Sequence, residues 1–256
     1  MFLQDLISND IGLCSQDAPI YAALLTPQGK FLHEFFIYEI GDAFLMDCEK
    51  ERTDDLLQRL KTYKLRAKVI LENVGDAYGV WGFPSGTNGF PDPRLPALGS
   101  RGVFRKDEIA NGFTITDASA YDRLRLSLGV PEGSRDMIVE KSALSDGNFD
   151  LLNGVSWTKG CYVGQELTAR MHHRALIKKR MFPVKISGAA PTAGSPLFYN
   201  GAEIGEMRSS QGDIGLALLN IEQTKLAISS GAPLTCGNAT LMPAPSYVIG
   251  EAGVDK

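Results

Sequence analysis

The stretch Thr158–Arg174, TKGCYVGQELTARMHHR, holds the densest chemistry in the chain. Val163, Leu167 and Met171 recur at i, i+4, the spacing of one helical face. That periodicity predicts a helix starting just after Tyr162, with Cys161 at its N-terminal end. Unpaired amides and the helix dipole there favour a thiolate over a thiol, and Lys159 pushes the same way. Gly160 and Gly164 leave room for a backbone or a ligand to come close. The same position also suits a small apolar residue packed under a helix start, since free cysteine is among the most buried residue types. Spacing alone leaves both readings open.

Glu166 and Arg170 form an i, i+4 pair in the favourable order, worth about 0.3–0.5 kcal/mol if exposed. Toward the far end, Arg170, His172, His173 and Arg174, with Lys178, Lys179 and Arg180, make a local basic patch. Such a patch suits phosphate, the glutamate tail of a cofactor, or RNA; basic residues at a helix C-terminus also simply complement the dipole. Cys161 and His173 cannot share one metal ion on a continuous helix, because a rise of about 1.5 Å per residue separates them by roughly 18 Å. A metal cluster at Cys161 would therefore need ligands from a second chain or a small thiol.

The totals narrow the class. The 256 residues carry 26 Lys+Arg against 30 Asp+Glu, a net charge of −4, which argues against a general polyanion binder. Cys14, Cys48, Cys161 and Cys236 form no C-x-x-C pair, so a zinc ribbon, a thioredoxin-type motif or a disulfide scaffold is not expected. Cys14, Cys48 and Cys236 are read as structural. MFLQDLISND lacks a basic n-region and a long apolar run, and no segment approaches the length of a bilayer span. Together these predict a cytoplasmic protein with no membrane association. No G-x-S-x-G elbow and no phosphate-cradling glycine loop ahead of a helix is present.

Along the chain, residues 2–8 place Phe2, Leu3, Leu6 and Ile7 on one helical face. YAALLT (21–26) reads as a buried strand, and FLHEFFIYEI and AFLMDC as a hairpin about Gly41-Asp42. TDDLLQRLKTY is predicted as a capped amphipathic helix, and AKVILENV and AYGVWGF as strands. Residues 84–102, rich in glycine and proline, are predicted as loop. DASAYDRLRLSLG reads as a helix capped by Asp117 or Ser119 and stopped by Gly129. From KKRMFPVKIS onward, short strands punctuated by glycine and proline predict a small antiparallel β-barrel, and GEAGVDK a frayed tail. The expected organisation is α+β: residues 1–175 as two interleaved subdomains, 176–245 as barrel, and 246–256 as tail.

The octet KGCYVGQE, Lys159 to Glu166, resembles the signature of the YgfZ-like folate-binding proteins, bacterial relatives of a mitochondrial assembly factor for iron–sulfur clusters. FLQDLISNDI, LLTPQGKFLHEFFIYE, YDRLRLSLGVPEG and GEMRSSQGDIGLALLN resemble that family's opening helix, first hairpin, central helix and barrel strands. The family usually has a short strand before the opening helix, so this chain is expected to begin inside that helix. The resemblance implies the GcvT-like folate-binding fold of the glycine-cleavage aminomethyltransferase, with ferredoxin-like subdomains and a small C-terminal barrel. It implies tetrahydrofolate or a derivative as cofactor, with a transient bridged iron–sulfur cluster. It further implies a non-enzymatic role in assembling or repairing [4Fe-4S] proteins, including radical-SAM tRNA-modifying enzymes. The partners implied are folate, an A-type iron–sulfur carrier and client iron–sulfur enzymes, with direct nucleic-acid binding disfavoured.

The same resemblance marks Cys161 as the key thiolate and shared cluster ligand. Lys159, Gly160, Tyr162, Gly164, Gln165 and Glu166 support it, with Arg170 and Arg125 as further cofactor contacts. Where the aminomethyltransferases carry paired aspartates this chain has His33-Glu34, and where they carry Arg-x-Glu it has Arg125-Leu126-Ser127. Glu34 is the candidate for proton handling near a folate, the alternative being a solvent-facing strand residue. A folate-dependent aminomethyl transferase is the competing function. An RNA-binding module using the 170–180 patch comes third.

Overall fold

The structure, a computed structural model, describes residues 2–84, 88–107 and 114–249. The chain divides into two compact units, residues 1–117 with 152–165, and residues 118–151 with 166–256. This cuts the chain elsewhere than at the boundary near residue 175 expected from sequence, because a helix before that boundary packs on the barrel.

The first unit is built on two three-stranded antiparallel sheets. One runs β1 (Ile20–Leu25), β2 (Phe31–Ile40) and β3 (Ala43–Cys48) in spatial order. All six residues of β1 are buried, as its unbroken apolar run requires, and so are the first eight of β2. The β2–β3 hairpin turns at Gly41-Asp42, with Ile40 opposite Ala43 and Gly41 at φ +56°. Helix α1 (Thr53–Lys64) follows and buries Leu56 and Leu60. Its expected side-chain cap is absent: a 3-10 turn at Lys50–Arg52 leads straight into it, and Thr53 donates back to Lys50 O. The second sheet has the order β4 (Tyr78–Phe83), β6 (Ser100–Arg105), β5 (Phe90–Pro91).

Three further local expectations fail in this unit. The opening helix is only a 3-10 turn at Phe2–Asp5, after which Ile7 bridges to Leu24. Ser8 N–H, which would extend the helix, donates instead to Ala23 O, and the carbonyl of Gln4 is taken by Lys159. AKVILENV pairs with no described strand, and its Ile70 is exposed. The proline-rich stretch carries regular structure, contributing β5, a 3-10 turn at Pro96–Leu98 and the start of β6. Residues 85–87 of it lie outside the described residues.

The second unit centres on a closed six-stranded barrel in the order β10-β7-β12-β11-β8-β9. Its strands are β7 (Lys179–Ser187), β8 (Pro196–Tyr199), β9 (Ala202–Gln211), β10 (Ile214–Asn220), β11 (Leu234–Cys236) and β12 (Ala239–Pro243). Closure leaves no unpaired edge, and Phe182, Val184, Leu197, Met207, Leu219 and Leu241 fill the interior. Helix α5 (Ile221–Ser230) is capped by the Asn220 side chain, which accepts from Gln223 N. Helix α2 (Ser119–Leu128) packs on β7, β9 and β10, and the four-residue helix α3 (Gly133–Asp136) on β9. Helix α2 ends where Gly129 turns left-handed at φ +79°, but its N-cap is Ala118, without a side-chain bond. Of the expected 246–256 tail, Tyr247, Val248 and Ile249 are tied to the second unit: Tyr247 donates to Gly129 O, and the other two pack against the barrel core. The rest of the expected tail, 250–256, lies outside the described residues.

Candidate functional site

The cysteine loop is laced to the N-terminal segment of the first unit. Ser8 Oγ donates to Gly154 O (2.6 Å), Ser156 N to Ser8 O (3.0 Å), and Asn9 Nδ2 to Asn153 O (2.8 Å). Lys159 then inserts its ammonium among three backbone carbonyls, Gln4 O at 2.6 Å, Ile7 O at 2.7 Å and Asn9 O at 2.8 Å. Burial lowers its pKa to about 8, against the pull of Asp10 and Asp5, so it is mainly the cation at neutral pH. The Nζ also sits 5.1 Å from the ring centroid of buried Tyr162. Past the cysteine, Val163 N donates to Asp5 O (3.1 Å). Gly164 adopts φ +81° with its α-carbon pressed on the β1–β2 turn. A Cβ there would stand 2.8 Å from Leu25 Cβ and closer still to Thr26 O.

Between these two anchors Cys161 is exposed, and nothing lies within 4 Å of the side-chain position of Gly160. Its sulfur is therefore accessible, and the alternative of a cysteine packed as filler does not hold. The expected cause of activation does not hold either. Helix α4 spans Gln165–His173, so Cys161 lies four residues before its first turn, outside the reach of the end amides. Gly164 makes the difference, since its left-handed backbone stops the helix from extending back through Tyr162.

Glu34 is buried on β2 rather than facing solvent, and it accepts a 2.6 Å hydrogen bond from Tyr21 Oη on β1. Tyr21 is pushed well above its ordinary pKa by burial and by the Glu34 charge, so it stays a neutral donor. Arg94 lies against this pair, its Cζ 5.7 Å from the Tyr21 ring centroid and 4.8 Å from that of Phe36. Asp92 holds Arg94 in a buried fork, at 3.0 Å to Nε and 2.9 Å to Nη2. Arg101 bonds Asp47 and Tyr38 Oη and stacks 3.4 Å over Phe36. Sequence reasoning passed over Tyr21, Asp92, Arg94 and Arg101. Tyr21 lay inside an apolar strand; the other three lay in the stretch read as loop, where the Asp-Pro-Arg spacing was the one available signal.

The remaining expected residues belong to the second unit, apart from Gln165, which closes the first. Arg125 is fully buried, with Nε on Asp122 (2.6 Å) and Nη1 on Asp136 (2.8 Å) and Val130 O (3.2 Å), while Nη2 donates to Ser209 Oγ at 3.2 Å. Its guanidinium is committed to protein partners, so the expected role as a cofactor anchor is corrected to a structural one. Gln165 is half-buried and donates from its backbone N to Tyr162 O; Glu166 and Arg170 are exposed on α4. His172 and His173 are exposed, their rings in edge contact at 5.3 Å. The basic patch loses Arg180, which is buried in a bidentate pair with Asp150 at 2.8 and 2.6 Å.

Among the described residues no group of three or more His, Cys, Asp or Glu is placed to hold a metal ion. Cys161 can offer one thiol ligand and no more. Measured against a folate, the expected contacts divide. Arg125 and Lys159 do not fit, because protein acceptors already surround their cationic groups. Glu34, expected to handle protons near a folate, keeps a carboxylate that accepts from Tyr21 Oη on the buried face of β2. Among the described residues no helix is long and apolar enough to cross a membrane.

Comparison with known proteins agrees with this architecture. Residues 178–248 match the family model of the CAF17 C-terminal beta-barrel domain. The crystal structure of the glycine cleavage system aminomethyltransferase T from Bartonella henselae superposes with a TM-score of 0.67 at 13% identity. It covers 96% of this chain and 79% of that one, and it shows the shared fold. The mitochondrial iron–sulfur cluster assembly factor IBA57 of Homo sapiens is 34% identical over 262 residues, spanning 88% of this chain and 73% of the human protein. The Mus musculus protein of the same name is 34% identical over 236 residues, spanning 80% of this chain and 66% of that protein. These relatives are mitochondrial, which overturns the cytoplasmic placement expected from sequence. Low disulfide usage reports a reducing environment and does not say which compartment supplies it. At that identity and coverage, on the same barrel-bearing fold, the chain belongs to the IBA57 family of iron–sulfur cluster assembly factors.

Proposed function

We propose that this protein assists the assembly or repair of [4Fe-4S] proteins, with the Cys161 thiol as a ligand to a cluster in transit. The observation that carries it is the exposed sulfur of Cys161, held on a loop clamped on both sides, in a member of an iron–sulfur assembly family. A lone thiol cannot retain a cluster. Cluster ligation here therefore requires a carrier of the A-type, or a client, to bring the remaining ligands, which makes the cluster cargo rather than a resident group. Client enzymes, radical-SAM tRNA-modifying enzymes among them, are the proposed destination.

Tetrahydrofolate or a derivative is the proposed small-molecule partner. Glu34 and Tyr21 are the residues suited to hold its pterin, and the bound folate would supply N5 and N10 as one-carbon carriers. Glu34 shares its charge with the Tyr21 hydroxyl, which orients the carboxylate. Aminomethyl transfer remains the competing activity, and it would have to use this same carboxylate.

The test is complementation. Cys161→Ala should bind tetrahydrofolate as the wild type does yet fail to restore [4Fe-4S] enzyme activity in cells lacking their own family member. Full restoration by that variant removes the proposal.

A further inference from the structure

Lys159 was expected to support a cofactor, but its surroundings give it another task. An ammonium has three N–H donors and no acceptor, and all three are spent on Gln4 O, Ile7 O and Asn9 O. The residue is 8% exposed. Gln4 lies in the 3-10 turn, whereas Ile7 and Asn9 lie beyond it, where the chain has left helical geometry and Ser8 N bonds to Ala23 O in β1. The three carbonyls converge on one point because the chain turns around the lysine head.

The consequence falls on the cysteine two residues away. Gly160 meets nothing and Cys161 is exposed, so neither is restrained by packing of its own side chain. The loop is held upstream by Lys159 and downstream by Val163 N on Asp5 O. Both anchors end on the same N-terminal segment. Asn9 extends the tie further, since its side chain donates to Tyr21 O at 2.8 Å while its own carbonyl receives Lys159.

We propose that Lys159 is a positioning residue for Cys161: its ammonium locks the cysteine loop onto the carbonyls of residues 4–9 and so fixes where the thiol is presented. This rests on the reading that Cys161 carries the assembly function, and it adds that the N-terminal segment is a working part of the site. Lys159→Met keeps the length and removes the donors. Lys159→Arg keeps a cation, but its longer planar head cannot reach three acceptors converging on one point.

The experiment compares wild type, Lys159→Met, Lys159→Arg and Cys161→Ser by amide hydrogen exchange and by complementation in cells lacking their own family member. In Lys159→Met, exchange in 156–163 and 4–9 should rise about tenfold or more while barrel peptides across 181–186 are unchanged. Complementation should fall at equal soluble protein. Lys159→Arg should be intermediate in both readouts, and it serves as the test if Lys159→Met does not fold. Wild-type exchange in 156–163 for either variant overturns the proposal. So does full complementation by Lys159→Met where Cys161→Ser complements nothing. Full complementation by Cys161→Ser instead removes the assembly reading, independently of the exchange result.

Discussion

Arg125 Nη1 and Asp136 Oδ2 lie 2.8 Å apart with both side chains completely buried, an ion pair sealed in the second unit. The same Asp136 accepts from Glu132 N, Ser209 N and Ser209 Oγ, so the helix-ending loop after α2 and strand β9 meet at one carboxylate. Removing one partner strands a buried charge. Arg125→Met should therefore cost about 3–5 kcal/mol in denaturant unfolding. It should leave the alkylation rate of Cys161 in the folded protein unchanged. A loss below about 1 kcal/mol would contradict the structural assignment.

Gly164 is the second site where sequence and backbone are bound together. Its φ of +81° is left-handed, and an added Cβ would meet Thr26 O and Leu25 Cβ. Gly164→Ala should destabilise by about 1–3 kcal/mol from backbone strain, with the contact adding to it. Thermal unfolding measures this directly. An unchanged melting temperature would mean that the turn accommodates a side chain.

Acid should weaken the fold in two stages. Burial and the Arg52 cation depress the pKa of His33, against its Asp55 partner, so the folded form resists a proton that the unfolded chain accepts near 6.5. Stability present above that value is lost as pH falls through the folded pKa. Burial pushes Asp92 upward, but Arg94 and Arg101 outweigh it and hold its pKa below the usual 3.8. Its contribution is complete above 3.8 and disappears only below it. Melting temperature against pH should show both declines, and His33→Asn should abolish the upper one alone.

Glu34 separates the folate question from the cysteine. Glu34→Gln keeps shape and removes the charge that would receive pterin N–H groups. Tetrahydrofolate binding by calorimetry should weaken about tenfold, with Cys161 alkylation unaltered. Unchanged affinity would exclude Glu34 from the folate contact. Turnover with an aminomethyl donor in wild type, lost in this variant, would favour the transferase.

The parts legible in the sequence were those governed by local pattern. The Gly41-Asp42 hairpin, the buried run of β1, α2 up to Gly129 and the barrel all follow from periodicity and turn residues. The parts that were not legible depend on contacts far along the chain. Residues 2–8 have helical spacing, yet the 3-10 turn stops early because Ala23 and Lys159 take its hydrogen bonds. Arg125 looked like a ligand residue, and its commitment to Asp136 involves a residue eleven positions on, with no period to announce it. The motif marks Cys161, and the structure leaves that residue exposed, but the helix end expected to activate it is displaced by the left-handed backbone of Gly164.

The most direct measurement is an anaerobic titration of wild type and Cys161→Ser with a cluster-loaded A-type carrier, with and without tetrahydrofolate, followed by visible absorbance and by activation of an apo client. The account predicts a shared-cluster absorbance and client activation with wild type and neither with Cys161→Ser. Equal cluster handling by the two proteins would contradict it.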